Sequence, residues 1–169
     1  MQFHRLKCFT AKPWQPGFTL VELLVTLVIV AILASAALPL TQIAVKRAKE
    51  SELKADLRQI RSAIDAYKKA TEEGRIQKKV GDSGYPPTLD ILAEGAQDLH
   101  DAGKKRKLRF LRSIPRDPMQ TDAALPAAQT WGKRSYDSEA DSPIEGIDVF
   151  DVYSLSEKDG INGVPYREW

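Results

Sequence analysis

A long apolar segment near the start of the chain, residues 18–40, constrains the fold more than any other feature. It contains 23 residues and a single charged side chain, Glu22. As an α-helix it would be ~34 Å long, which is enough to cross a hydrocarbon layer about 30 Å thick. The rest of the chain is far more polar, so we predict one hydrophobic anchor segment and one soluble domain.

The first 17 residues differ in composition from the remainder. The 169-residue chain has a formal charge of +2, which argues against a strongly basic nucleic-acid-binding protein. Residues 1–17 contain three basic residues, no acidic residue and the only cysteine, Cys8. Removing three of the 25 basic residues leaves 22 against 23 acidic ones. Without this leader the chain has no thiol, so packing, assembly or a metal must stabilise it in place of a disulfide.

Three interpretations of residues 1–40 compete. A secretory signal peptide would be cleaved before Ala37, and a plain anchor would not be cleaved at all. The third is a leader removed after Gly17, with the apolar segment retained. Glu22 favours the third, because a charge in a membrane segment costs ~2.5–3.5 kcal/mol at the centre. A cut after Gly17 gives Phe18 a free amine, which the Glu22 carboxylate of a neighbouring chain can neutralise.

The sequence GFTLVE at residues 17–22 resembles the prepilin processing motif, which type IV pilins share with the pseudopilins of type II secretion. The resemblance implies that a membrane peptidase cleaves after Gly17 and N-methylates Phe18. It also implies that Phe18 and Glu22 act in assembly of a helical filament. Pilin-like helices often have a proline where Pro39 stands, so local unwinding at Pro39 is implied as well. The implied location is the inner membrane of a Gram-negative bacterium, as a single-pass protein with its C-terminal head in the periplasm.

Beyond Pro39, the apolar residues predict that the helix continues to about residue 73. They recur at spacings of three and four, as on one face of a helix: Leu53, Leu57, Ile60, Ile64 and Tyr67. Gly74 is a candidate stop signal. Thr88 is a candidate N-cap for a short helix within residues 81–92.

Two segments rich in β-branched and aromatic residues, 130–136 and 147–155, predict a small antiparallel sheet. The fold class is therefore α+β, with a long N-terminal helix packed against a small sheet, which is the pilin-like arrangement. We predict three parts: a leader at 1–17, a hydrophobic helix at 18–40 and a head at 41–169. The amphipathic half of the long helix, 41–73, belongs to the head.

A second resemblance lies between the helical part and the sheet. Many secretion pseudopilins carry a P-x-D-P segment followed by W-G. Pro115, Asp117 and Pro118 match the first part, and Trp131 and Gly132 match the second, with an insertion between them. The physical interpretation of the same residues is that the prolines make a turn and the tryptophan fills the core.

The basic run KKRKLRFLR, residues 104–112, has two interpretations. It is either an electrostatic patch for nucleic acid or an acidic partner, or a solvated loop that leads into a short apolar turn. We favour the loop, because aromatic residues do not alternate with the basic ones as base stacking would require. We therefore predict no nucleic-acid partner.

The last 20 residues, FDVYSLSEKDGINGVPYREW, resemble a stretch of the major pseudopilin that is followed by a calcium-binding loop. The resemblance implies Asp159 and the carbonyl near Leu155 as ligands. Calcium takes six to eight oxygens, and the later acidic ligands of the family are absent here, which leaves Asn162 and Glu168. The alternative is a pair of tight turns, the second at Asn162-Gly163, with the last aromatic residues packed back on the head.

No catalytic motif is present: the chain lacks HExxH, GxSxG, a P-loop and GxGxxG. We expect a structural pseudopilus subunit rather than an enzyme. Its partners would be further copies of itself, the prepilin peptidase, the inner-membrane secretion platform and other pseudopilins. Two alternatives stay open: a minor type IV pilin with an adhesion or DNA-binding role, and a periplasmic protein released by signal peptidase.

Overall fold

The computed structural model describes residues 17–100, 106–139 and 141–169, and its contacts divide the chain into two units, Met1–Gln42 and Ile43–Trp169. The regular elements in chain order are α1 (Leu20–Glu72), α2 (Asp90–Glu94), β1 (Ala96–Gln97), β2 (Lys107–Leu108), β3 (Trp131–Arg134) and β4 (Asp151–Ser154). Two 3₁₀ turns, Ala127–Gln129 and Tyr166–Glu168, complete the chain. The long helix and small antiparallel sheets confirm the predicted α+β, pilin-like fold.

In the first unit, the apolar side chains of helix α1 are exposed on all sides of the helix from Leu20 to Ser35. Every side chain from Leu20 to Ser35 is exposed. In the part of the chain that the structure describes, no helix has both the length and the apolarity needed to cross a membrane.

In the second unit, one face of α1 forms a wall of the hydrophobic core. All five residues of the predicted apolar face, from Leu53 to Tyr67, are buried. Leu89, Leu92, Leu111 and Val152 pack into the same cluster from the elements that follow. The predicted helix face is therefore confirmed, and these four residues of its partner surface come from three separate segments of the head.

A glycine terminates α1, as the sequence predicts. Gly74 has a φ of 73°, a left-handed conformation that other residues adopt at a cost. Its N–H donates to the Thr71 carbonyl at 3.1 Å, and the Arg75 N–H donates to the Ala70 carbonyl at 2.9 Å. This bonding pattern closes a helix with a Schellman motif.

The larger sheet pairs β3 with β4 in antiparallel register. Trp131 lies opposite Ser154, and Arg134 lies opposite Asp151. Both strands lie within the segments that the sequence predicted as β. A second sheet pairs β1 with β2, Ala96 opposite Leu108. The sequence did not predict it, because a two-residue strand is too short to show an alternating pattern.

The P-x-D-P and W-G segments meet in the core. The Trp131 side chain is 1% exposed, and its Nε1 donates to the Pro115 carbonyl at 2.8 Å. The Tyr153 ring lies where a Cβ on Gly132 would stand, so a larger residue at position 132 would displace the ring. Core packing and a turn thus account for these residues, in line with the physical interpretation.

The predicted N-cap at Thr88 is wrong. Helix α2 begins at Asp90 with Leu89 in the N-cap position, and no side chain caps it. Leu89 and Leu92 are both buried, and the Leu92 N–H donates to the Leu89 carbonyl at 3.1 Å. Burial of these two leucines places the start of the helix one residue later than the capping preference of threonine suggests.

Candidate functional site

The candidate processing segment, Gly17–Phe18, lies in non-helical backbone directly before α1. Phe18 is 84% exposed. Thr19 caps the helix: its Oγ1 accepts a hydrogen bond from the Glu22 N–H at 3.2 Å, and its carbonyl accepts one from the Leu23 N–H at 3.1 Å. A hydroxyl in this role satisfies one of the free N–H groups at a helix start. The peptide bond between Gly17 and Phe18 is therefore outside the helix and accessible.

The fold itself does not require a glycine at position 17. A Cβ added to Gly17 would meet no atom within 4 Å, and its φ lies outside the left-handed region. Gly74 differs, because its left-handed φ of 73° terminates the helix. The reason for a glycine at position 17 must therefore be sought outside the folded chain.

The Glu22 carboxylate lies in the first turn of α1, where the helix dipole favours a negative charge. Among the described residues, no side chain or backbone group forms an ion pair or hydrogen bond with this carboxylate. A partner from outside the described chain is thus compatible with its position. The spacing Thr19-x-x-Glu22 is also that of a capping box, which is a local signal in the sequence for the helix start, and we did not predict it.

Pro39 lies inside α1, and the helix continues on both sides of it. A proline at such a place removes one backbone hydrogen bond. Local unwinding at Pro39 within an assembled filament stays a prediction.

The C-terminal loop, defined here as residues 155–169, is closed by its own backbone. Asp159 forms an antiparallel bridge with Pro165, and the Gly160 N–H donates to the Val164 carbonyl at 2.9 Å. The Gly163 N–H donates to the Gly160 carbonyl at 3.1 Å, and Gly163 has a φ of 77°. The predicted tight turn at Asn162-Gly163 is therefore confirmed.

Helix α1 contacts this loop through charged side chains. Glu50 is only 9% exposed, and its Oε1 accepts hydrogen bonds from the Tyr166 hydroxyl and from the Ile161 N–H, both at 2.8 Å. One turn earlier, the Lys46 Nζ donates to the Asp159 carbonyl at 2.9 Å. These bonds join residues more than 100 positions apart in sequence.

Two further cations of α1 hold the end of the loop. The Arg61 guanidinium donates to the Trp169 carbonyl at 2.8 Å and forms an ion pair with Asp151 at 2.7 Å. The Lys54 Nζ lies 4.3 Å from the centroid of the Trp169 ring, within the range of a cation–π contact. The predicted packing of the last aromatic residues onto the head is confirmed.

Tyr166 forms the buried part of this contact. Its side chain is 1% exposed, and its ring packs edge-to-face on Trp169 with centroids 5.0 Å apart. Burial, and then the hydrogen bond to the Glu50 carboxylate, raises the pKa of Tyr166 to about 12. The phenol therefore stays protonated at physiological pH and remains the donor to Glu50.

Comparison with known proteins identifies the family of the chain. Residues 15–38 match the family described as "Prokaryotic N-terminal methylation motif". The type II secretion system core protein G of Pseudomonas aeruginosa is 30% identical over 152 residues, which are 88% of this chain and 87% of the relative. The chain belongs to the type II secretion system core protein G family. The resemblance to pseudopilins is thereby confirmed.

Two further members of the core protein G family align with the chain over fewer residues and with lower identity. The protein from Klebsiella pneumoniae is 29% identical over 114 residues, which are 66% of this chain and 74% of the relative. The protein from Klebsiella michiganensis is 26% identical over 140 residues, which are 79% of this chain and 89% of the relative. No solved structure matches the chain significantly.

In the described residues, no cluster of carboxylates joins Asp159 and Leu155, the residues that the resemblance implies as calcium ligands, and a calcium site at this loop stays a prediction. Calcium requires six to eight oxygens, several of them usually carboxylates. No group of three or more His, Cys, Asp or Glu residues in the described ranges is arranged to hold a metal. The Asp159 carbonyl already accepts from the Lys46 ammonium, and Leu155 is an exposed residue directly after β4.

The basic run contains strand β2 and ends in a packed segment without regular structure. Leu111 is buried, and Phe110 meets Tyr67 of α1 edge-to-face with centroids 5.5 Å apart. The described basic side chains are exposed: Arg106, Lys107, Arg109 and Arg112. This geometry agrees with the interpretation as a loop that leads into an apolar turn, and the absence of a nucleic-acid partner stays a prediction.

Lys46 and Glu50 are loop contacts that we did not predict, although the sequence contains a signal for them. Counting back from Leu53 by three and then four residues reaches Glu50 and Lys46. Two charged residues therefore continue the apolar face of α1. A charged side chain on that face is expected to have a hydrogen-bond or ion-pair partner, because burying an unpaired charge is costly.

Proposed function

We propose that the chain is a structural subunit of a type II secretion pseudopilus. A prepilin peptidase would cleave it between Gly17 and Phe18 and methylate the new amine of Phe18. The subunits would then assemble into a filament through the apolar half of α1. The observation that carries this proposal is an accessible, non-helical Gly17–Phe18 bond directly before a helix whose side chains from Leu20 to Ser35 are all exposed.

Gly17 supports the processing step because nothing in the described part of the fold requires a glycine there. The space around its Cα is open, so the folded chain would accept a larger side chain there. A peptidase that binds an extended substrate can require a small residue at the position before the cut. Recognition by an enzyme is therefore the reason that we assign to this glycine.

Glu22 supports the assembly step. Its carboxylate has no partner in the described chain, and it stands one turn from the amine that cleavage would create. Between helices packed in an apolar bundle, a carboxylate and an amine each need an opposite charge. Pairing of Glu22 with the Phe18 amine of a neighbouring subunit satisfies both groups and fixes the axial register of the two chains.

The exposed apolar helix also suggests where the subunit resides. Burying a leucine, isoleucine or valine side chain is favourable by roughly 1.5–3 kcal/mol. Exposed side chains of this kind follow one another from Leu20 to Leu33. We place this part of the chain in the inner membrane before assembly and in the filament core afterwards, with the head in the periplasm. The partners that we propose are the peptidase, the secretion platform, other pseudopilins and further copies of the chain.

The test is to express a Gly17→Val variant in a host that contains the peptidase and to determine the N-terminus by mass spectrometry. We expect the native chain to begin at N-methylated Phe18 and the variant to keep its leader. Thr19→Ala serves as the control, because it removes the cap of α1 and leaves the glycine in place. A native chain that begins at Ala37 would contradict the proposal, since the apolar segment would then be lost.

A second variant tests assembly separately from processing. Glu22→Gln keeps the size of the side chain and removes its charge. We expect normal cleavage but strongly reduced filament formation, measured by shearing and by disulfide cross-linking of introduced cysteines. Glu52→Gln, an exposed glutamate further along the same helix, is the matched control. Normal filaments from the Glu22 variant would contradict the proposed pairing.

A further inference from the structure

The C-terminal loop is held against helix α1 by hydrogen bonds from charged side chains of the helix, and none of these bonds needs a metal. A metal in such a loop would serve to gather backbone oxygens and carboxylates that otherwise repel or stay mobile. Here the helix supplies groups of both signs to the loop. The Lys46 ammonium binds a loop carbonyl, and the buried Glu50 carboxylate binds a loop N–H and the Tyr166 hydroxyl.

These contacts engage two backbone groups of the loop, the Asp159 carbonyl and the Ile161 N–H, on the side that faces the helix. The Asp159 carbonyl receives a positive charge at 2.9 Å. A divalent cation that used this oxygen would have to displace the ammonium and would be repelled by it at short range. The Ile161 N–H donates to the Glu50 carboxylate, so at that position the turn faces the helix with a hydrogen-bond donor and not with an oxygen.

The last residue of the loop, Trp169, is also held by a charged side chain of the helix. The Arg61 guanidinium donates to the Trp169 carbonyl and to the Val152 carbonyl of β4. It also pairs with Asp151, which ties the loop end, the sheet and the helix together. Hydrogen bonds that involve a charged group are shorter and stronger than neutral ones. Three residues of one helix, Lys46, Glu50 and Arg61, thus reach both ends of the loop.

We propose that Lys46, Glu50 and Arg61 of helix α1 close the C-terminal loop in place of a divalent cation, so that this head folds and stays folded without calcium. The three residues form what we call the helix clamp. The proposal concerns the head alone and does not depend on filament assembly. It differs from what the resemblance to the major pseudopilin implies, because the side chains that hold the loop come from the helix and not from the loop.

Thermal unfolding of the full-length chain in detergent, followed by tryptophan fluorescence, tests the proposal. We expect the same midpoint in excess EGTA and in millimolar calcium chloride. Glu50→Gln should lower the midpoint by at least ~3 °C, because it removes the charge that two donors face. Glu52→Gln, two positions away and exposed, should leave the midpoint unchanged. A midpoint that rises by several degrees with calcium in the native chain would overturn the proposal.

Asp159→Asn separates the clamp from a metal site. The clamp uses the backbone carbonyl of Asp159, so the variant should unfold at nearly the native midpoint. A calcium site would use the carboxylate, and the variant would then lose a stabilisation that calcium gave to the native chain. Lys46→Met should lower the midpoint, whereas Lys49→Met should not, because Lys49 is an equally exposed lysine of the same helix that forms no hydrogen bond with the described part of the loop. Native midpoints in both Glu50→Gln and Lys46→Met would also overturn the proposal.

Terbium luminescence gives a readout that is independent of stability. Trp169 lies against Gly160, so excitation of this tryptophan would sensitise a terbium ion bound in the turn. We expect no sensitised emission above that of a Trp169→Phe control. Saturable emission that calcium competes away and that Asp159→Asn abolishes would show a metal site and refute the proposal.

Discussion

Asp148 and Asp117 are two buried carboxylates in the head that respond oppositely to their surroundings. Burial raises the pKa of Asp148, but hydrogen bonds from Ser83, the Tyr136 N–H and Ser135 outweigh it and hold the pKa below the ordinary value of 3.8. Asp117 is 2% exposed, and burial raises its pKa despite hydrogen bonds from Ser154 and the Met119 N–H. Asp117 has fewer donors and is more deeply buried than Asp148, so burial outweighs the hydrogen bonds at Asp117 and the hydrogen bonds outweigh burial at Asp148.

The Asp148 carboxylate should therefore contribute to stability in a pH-dependent way. Since its folded pKa lies below the unfolded value, its contribution is present above about pH 4 and is lost as the pH falls through the folded pKa. Asp148→Ala removes one acceptor from three donors, and we expect the free energy of unfolding at pH 7 to fall by about 2–4 kcal/mol.

Urea denaturation of the Asp148→Ala variant at a series of pH values checks this expectation. The difference from the native chain should shrink as the pH drops below about 4. Asp137→Ala is the control, because Asp137 is exposed and belongs to the same loop region. A difference that stays constant down to pH 2 would mean that packing, and not the carboxylate, accounts for the effect.

At the scale of secondary-structure elements, the two halves of helix α1 are stabilised by different partners. Ile60 is fully buried in the core of the head, whereas Ile29 is about half exposed in the first unit. An isoleucine truncated in a core costs roughly 2–5 kcal/mol, because the lost contacts leave a cavity. The same truncation on an exposed face leaves no cavity in the subunit, and it weakens only the contacts of molecules that pack against that face.

We therefore predict a separation of effects between two matched variants. Ile60→Ala should destabilise the head by about 2–5 kcal/mol, measured by urea denaturation. Ile29→Ala should leave the stability of the head unchanged and reduce the yield of sheared filaments. Equal destabilisation of the head by both variants would contradict the separation, since it would mean that the two halves share one core.

The elements also differ in how well the sequence predicts them. Helix α1 and strands β3 and β4 have enough residues for a period to appear, so their positions could be predicted to within a few residues. Strands β1 and β2 have two residues each, and their pairing depends on Leu108 and Leu111 entering a core that no local pattern reveals. The contacts of the helix clamp are equally hidden, because Glu50 and Tyr166 are 116 positions apart.

At the scale of the whole molecule, the hydrophobic core belongs entirely to the second unit. Every buried apolar residue of the core cluster lies between Leu53 and Tyr166. The residues of the clamp, from Lys46 onwards, lie in this unit too. The large apolar side chains from Phe18 to Leu33 are exposed and do not belong to that cluster. The buried packing described for the head therefore lies within the head itself, and the first half of α1 is the part that the proposed assembly would use.

A fragment that begins at Ile43 should consequently fold as a soluble monomer with cooperative unfolding. The expected midpoint lies within a few degrees of the full-length chain in detergent, measured by circular dichroism and analytical ultracentrifugation. A shorter fragment that begins at Leu57 is the control. It lacks Leu53 of the core and both Lys46 and Glu50 of the clamp, so we expect it to be largely unfolded. If the Ile43 fragment were unfolded while the full-length chain was folded, the first half of α1 would have to stabilise the head directly, and the separation of the two halves would fail.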